Sequence, residues 1–167
     1  FTDMYLMPWA VADTIGKSGI KANFSRVMQA FTEMSDDDYD SYYRVKETND
    51  LIKNYHNSFE ERLKVDYAIH AEYTCKPTVV RRCSEDCLEH GLRMQIHLSE
   101  TKKEHEECKE RYGKTPTEWF YDLKCFDNPT LAAHCVWVEE RDMDILKEKG
   151  VTVVHNPTSN LKLGSGF

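Results

Sequence analysis

Met94-Gln95-Ile96-His97-Leu98-Ser99-Glu100-Thr101 carries a histidine inside a short apolar run and a carboxylate three residues beyond it, where the run ends. Five alternating, mostly apolar residues read as a strand, and Lys102 to Tyr112, closed by Gly113, reads as the amphipathic helix after it. Working outward, the same alternation recurs. Ile20 to Phe24, Val65 to Ile69, Leu131 to Ala133 and Val151 to Val154 are further short strand-like runs. Between them lie helix-like stretches: Val79 to His90 before Gly91, a segment opened by Thr115-Pro116-Thr117-Glu118, and Val138 to Lys149 before Gly150. Ser35 to Asp40 reads as an acidic loop leading to a helix over Asp50 to Arg62. Strand and helix in alternation predict a parallel α/β sheet, a pattern that a doubly wound sheet and a (β/α)8 barrel share.

The position of the histidines adds to this. His70, His97, His134 and His155 each come at or near the C-terminal end of a strand-like run. In parallel α/β folds these ends converge on one face, where active sites form. Imidazole is both a common zinc ligand and a base near neutrality, so four on one rim point to metal or proton-transfer chemistry. Glu100, one step above His97, is placed to act as an acid/base beside a metal-activated water. The plainer alternatives are that each histidine is a hydrogen-bonded strand end, and that Ser99-Glu100 caps the next helix. His56, His90 and His105 fall among charges and read as solvated surface.

Composition narrows the class. With 167 residues, 40% of them hydrophobic and 31% charged, the chain has the make-up of a packed domain. A net charge of -7, with no basic cluster interleaved with aromatics, argues against a nucleic-acid partner. No apolar run approaches membrane-spanning length, and Phe1-Thr2-Asp3-Met4 carries no signal-type segment. The start reads like the middle of a longer chain. Six cysteines without a CxxC pair read as reduced, mostly buried thiols of a cytoplasmic protein.

Three motifs carry a resemblance to a known family. Met94 to Thr101, Leu131-Ala132-Ala133-His134-Cys135-Val136, and Val154-His155-Asn156-Pro157-Thr158-Ser159-Asn160-Leu161-Lys162-Leu163-Gly164 resemble the amidohydrolase superfamily. The similar subgroup contains the S-adenosylhomocysteine and methylthioadenosine deaminases, with guanine deaminase and triazine chlorohydrolases as relatives. Asp3-Met4-Tyr5 resembles the end of an earlier strand. The resemblance implies a partial (β/α)8 barrel, strands three to seven with their helices and the tip of strand two, across residues 1–167 as a single incomplete domain. It implies one zinc, or another divalent metal such as iron, per active site, and a small-molecule substrate that is purine nucleoside-like or a heteroaromatic amine. His97 matches the metal-ligand histidine, Glu100 the acid/base that also meets the substrate, and His134 the histidine that orients the attacking hydroxide. His70 matches a substrate-contacting histidine, and Arg26 falls near an arginine that meets the substrate's distal polar end. His155 would shape a loop that Asn156 and Asn160 hold by side-chain to backbone bonds.

The departures are equally specific. The first-strand HxH pair and the eighth-strand aspartate of the family have no counterpart here, and Ile69-His70-Ala71-Glu72 stands where the deaminases have a proline before the histidine and a serine after it. The expected function is that of a metal-dependent hydrolytic deaminase in the intact parent. The alternatives are a hydrolase of another C–N or C–Cl bond on a heteroaromatic ring, or an inactive truncated remnant. The chain by itself is expected to be inactive, and its open sheet edges leave self-association into a homo-oligomer open.

Overall fold

The computed structural model describes residues 1–166. Its centre is a parallel sheet in chain order: β1 (Thr2–Tyr5), β2 (Ala22–Met28), β3 (Leu63–Val65), β4 (Tyr67–Ile69), β5 (Met94–Leu98), β6 (Thr130–His134) and β7 (Thr152–Val154). β3 and β4 occupy one strand position. Both pair with β2 in one register, Phe24 opposite Val65 and Val27 opposite Ala68, with Asp66 between them. Every pairing is parallel, which requires a crossover between successive strands, and the sheet curls into the half-barrel expected of a partial (β/α)8 fold. The short apolar runs lie where the strands form. β2 alone runs well past its expected end, because Ser25 and Arg26 interrupt the apolar pattern without interrupting the strand.

The helices supply the crossovers. α1 (Trp9–Lys17) comes after β1; α2 (Asp36–Ser41), α3 (Tyr43–Tyr55) and α4 (Ser58–Glu61) link β2 to β3; α5 (Pro77–Glu89) links β4 to β5. α6 (Lys102–Tyr112) and α7 (Pro116–Asp122) precede β6, α8 (Glu140–Glu148) precedes β7, and α9 (Pro157–Leu163) comes after it. α6 has the bounds read from sequence, and α7 opens with a reciprocal Thr115–Glu118 capping box. Two readings are corrected. Ser35 to Asp40 is not a loop: Ser35 caps α2, and Asp36, Asp37 and Asp38 occupy its first turn at the positive end of the helix dipole. The helix expected from Asp50 to Arg62 begins at Tyr43 and ends at Tyr55, and left-handed backbone at Asn57, Phe59, Glu60 and Glu61 breaks the rest of that stretch.

The apolar core lies on the convex side of the sheet. Met94, Ile96 and Leu98 of β5 pack with Val79, Val80 and Cys83 of α5. Five cysteines are buried, Cys135 is half-buried, and all are free, as a reduced-thiol reading requires. On the concave side the strands are tied by Asp66, which accepts from Asn23 Nδ2, from Arg93 Nε and Nη2, and from Gln95 Nε2 at 2.8 Å. Among the described residues no helix is long and apolar enough to cross a membrane.

Candidate active site

Strand alternation decides which side chains reach the concave face. In β5 the residues between the core positions are Gln95 and His97, and both line the concavity together with Thr2, Asp3 and Met4 of the β1 edge. In β4 the core takes Tyr67 and Ile69, which leaves the next residue, His70, to the rim. In β6 the concavity takes Leu131 and Ala133, so regular alternation would send His134 outward with Ala132. The backbone turns left-handed instead, at φ 76° for His134 and 51° for Cys135. His134 stands against His97, with ring centroids 5.5 Å apart. His70 lies on the other side of His97 at 5.2 Å. Non-glycine residues in such backbone gather at functional sites, where surrounding contacts hold them.

The partners of the three rings set their tautomers. His97 Nδ1 lies 2.7 Å from the His70 carbonyl, which can only accept, so Nδ1 carries the proton and Nε2 is bare. His134 Nδ1 faces two acceptors, the Asn160 Oδ1 at 2.8 Å and the Glu100 Oε1 at 3.7 Å. His70 Nδ1 lies 3.1 Å from the Thr74 hydroxyl. That hydroxyl spends its one proton on the Ala71 carbonyl and accepts from Ala71 N–H, so His70 Nδ1 is a donor too. Each ring therefore presents an Nε2 lone pair. Burial, then His97, then the Arg44 guanidinium push the His70 pKa down to about 4, and burial likewise lowers that of His97. Both are neutral near pH 7, as ligands, bases or hydrogen-bond acceptors must be.

The structure thus brings His70, His97, His134 and Glu100 together. Arg26 stands apart from them. It shares the helix-facing side of β2 with Phe24 and Met28, pairs with Glu47 of α3 at 2.6 Å and sits 5.6 Å from the Trp9 ring. Arg44 donates to the Val27 carbonyl at 2.9 Å, which Arg26 Nη1 also reaches at 3.3 Å, and it is the Arg44 charge that bears on His70. His155 is exposed beyond β7. Asn160 bonds a side chain, His134, rather than the loop backbone expected of it. His105 is buried rather than solvated, and its Nε2 lies 3.0 Å from Glu139, the residue at the cap of α8. His56 is half-buried, its Nδ1 against the Val65 backbone, and His90 is exposed as expected. Sequence reading missed Arg44, Thr74 and Glu104, and gave Asn160 a different partner. Only the spacing of Thr101 and Glu104, that of a helix cap and its third residue, signalled any of them.

The donor set fits one side of a metal site. His97 offers a bare Nε2 with its other nitrogen fixed by a carbonyl, the supporting arrangement usual for a ligating histidine. Among the described residues there is no group of three or more His, Cys, Asp or Glu side chains able to hold an ion, so the remaining donors of such a centre would come from elsewhere.

Known proteins share this arrangement of strands. The family model described as the amidohydrolase family matches residues 9–167. A 5-methylthioadenosine/S-adenosylhomocysteine deaminase of Caldanaerobacter subterraneus is 41% identical over 169 residues, covering 100% of this chain and 38% of its own length. Guanine deaminase from C. acetobutylicum, solved with bound guanine, superposes with a TM-score of 0.81 at 26% identity, covering 95% of this chain and 38% of that one. An adenosine deaminase from Xanthomonas campestris, solved with bound zinc, gives a TM-score of 0.81 at 28% identity, covering 98% and 36%. The chain thus spans less than two fifths of the length of these relatives. With the parallel half-barrel, the histidine rim and a family match over nearly all its residues, the chain belongs to the amidohydrolase family.

Proposed function

We propose that residues 1–167 are one incomplete barrel unit of a metal-dependent hydrolase that deaminates an adenosine-type or other amino-heteroaromatic substrate. The observation that carries this reading is the placing of Glu100 Oε1 3.7 Å from His134 Nδ1, on the rim beside the bare Nε2 of His97. His97 would hold a zinc or similar divalent ion together with donors from outside the chain. When bound, such an ion lowers the pKa of water towards neutrality and makes it a nucleophile. Glu100 takes one proton of the attacking water at Oε and delivers it to the substrate ring nitrogen. The second proton, from the hydroxyl now on the ring carbon, passes to the amino group, which leaves as ammonia as the C–N bond breaks and the C=O bond forms. His134, held as the Nδ1–H tautomer, turns its Nε2 to the nucleophile and orients it. His70, neutral and bare at Nε2, accepts a hydrogen bond from the substrate. Tyr73, half exposed and edge-on to His70 at 6.0 Å, offers an aromatic face for a planar ring. A deaminase relative at 41% identity supports the substrate class. Six free cysteines suit a cytoplasmic location.

The test is ammonia release by the whole protein, loaded with zinc, from S-adenosylhomocysteine, methylthioadenosine, adenosine and guanine. Release from one of them, reduced to a small residual rate by Glu100→Gln with zinc content unchanged, is the expected result. No release from any amino-heteroaromatic, or full activity in Glu100→Gln, overturns the reading.

A further inference from the structure

We infer that Glu104 is a positioning residue for Glu100: its buried carboxylate clamps the backbone of Ser99 and Glu100 and so fixes where the acid/base side chain stands. The inference rests on the deaminase reading for its effect on rate, and on this chain's own geometry for the clamp. Ser99 Nα lies 2.9 Å from Glu104 Oε1 and Glu100 Nα lies 2.8 Å from Oε2. Two successive amides thus point into one carboxylate, and Ser99 between the strand and Glu100 is left-handed at φ 47°. Such backbone in a non-glycine residue needs outside support. The clamp itself is anchored in the first turn of α6, where Glu104 donates its own N–H to the Thr101 hydroxyl at 3.1 Å. From the opposite side the Ser99 carbonyl accepts from Val136 N–H at 3.1 Å and Trp137 N–H at 2.9 Å, in the loop that begins with His134 and Cys135. Ser99 is therefore the joint between the loops that carry Glu100 and His134.

The chemistry of the clamp explains why a carboxylate occupies it. Glu104 is buried, and burial pushes its pKa up to about 7 even though three backbone donors pull it down. Glu72 from the β4 loop faces it and raises it further, and Tyr73, Cys108 and Cys135 lie within its field. An uncharged side chain would be easier to bury. Two parallel N–H donors are met by a group with two acceptor oxygens. Glutamine has the same shape but would turn an NH2 against one of them, leaving a buried donor facing a donor.

Glu104→Gln in the whole enzyme is the test. It is expected to lower kcat about tenfold to hundredfold, the range for a displaced catalytic group or a lost supporting bond, with KM and bound zinc unchanged. In a Glu100→Gln background the same change is expected to cost nothing more, because its effect passes through Glu100. Amide exchange at Ser99 and Glu100 is expected to quicken in the variant of this chain. An unchanged kcat, or the same loss in both backgrounds, overturns the inference. Should Glu104→Gln fail to fold, Thr101→Val loosens the clamp from the helix side. It is then expected to lower kcat by a smaller factor at constant KM, and no change would count against the clamp. If the wild-type enzyme releases no ammonia, the deaminase reading fails, while the exchange rates still decide whether the clamp exists.

Discussion

Asp66→Asn is expected to weaken the half-barrel far more than its single-atom change suggests. The wild-type carboxylate joins three strand positions at once, accepting from Asn23 next to β1, from Gln95 on β5, and from Arg93 just before it. The variant keeps one acceptor oxygen and turns an NH2 toward the remaining donors. Losing one bond to a charged acceptor costs about 1.5–3 kcal/mol, and a buried donor left facing a donor about 1–3 kcal/mol. The Arg93 ion pair adds little, about 0–1 kcal/mol, because Arg93 is 43% exposed. Taken near the low end of each range, these add to about 3 kcal/mol. For a chain of this size that lowers Tm by about 6–12 °C. Thermal unfolding followed by far-UV circular dichroism at pH 7 measures it, with Arg93→Gln as the control expected to cost about 1 kcal/mol at most. A Tm within about 2 °C of wild type in Asp66→Asn would mean that the strands are not joined through this carboxylate.

Three other side chains give measurable outcomes. Asn160→Leu removes the acceptor that holds His134 Nδ1–H and should lower kcat of the whole enzyme about tenfold to hundredfold; steady-state kinetics showing wild-type rates would dismiss the tautomer argument. His70 has a folded pKa of about 4 against an ordinary 6.5, so the unfolded chain binds a proton that the folded chain refuses. Its contribution is complete above pH 6.5 and is lost as pH falls towards 4. The loss is about 2 kcal/mol once partial screening is allowed for, and urea titrations of the metal-free chain should show it in wild type but not in His70→Gln. Ser35→Ala removes the cap of α2 and should cost about 1 kcal/mol in the same titrations, whereas an unmoved midpoint would mean that the cap contributes nothing.

The features that could be read in advance obey local rules. β5 and α6 were legible because strand alternation, an amphipathic stretch and a terminal glycine follow one another directly, although the cap is Thr101 rather than Ser99-Glu100. The rim histidines were legible because strand ends converge in any parallel α/β fold, and that holds for His70, His97 and His134 alike. α2 was not, since three aspartates in a row look like solvent until a serine cap makes them a first turn. Glu104 and Thr74 were illegible, and the partner of Asn160 with them, for another reason: each acts by touching a backbone or ring that only the fold brings to it. Arg26 and Arg44 converge on the Val27 carbonyl from β2 and α3, yet it is the Arg44 charge that bears on His70, a distinction that spacing along the chain does not carry.

The pairing order of the sheet has a consequence for synthesis. Each strand position pairs with the one before it in the chain, from β1 through β7. A ribosome therefore delivers the strands in the order in which the sheet needs them, and none must wait for a distant segment. Growth can proceed one strand and crossover at a time, like courses laid on a curved wall. At each stage the newest strand exposes an unpaired edge until the next is laid against it.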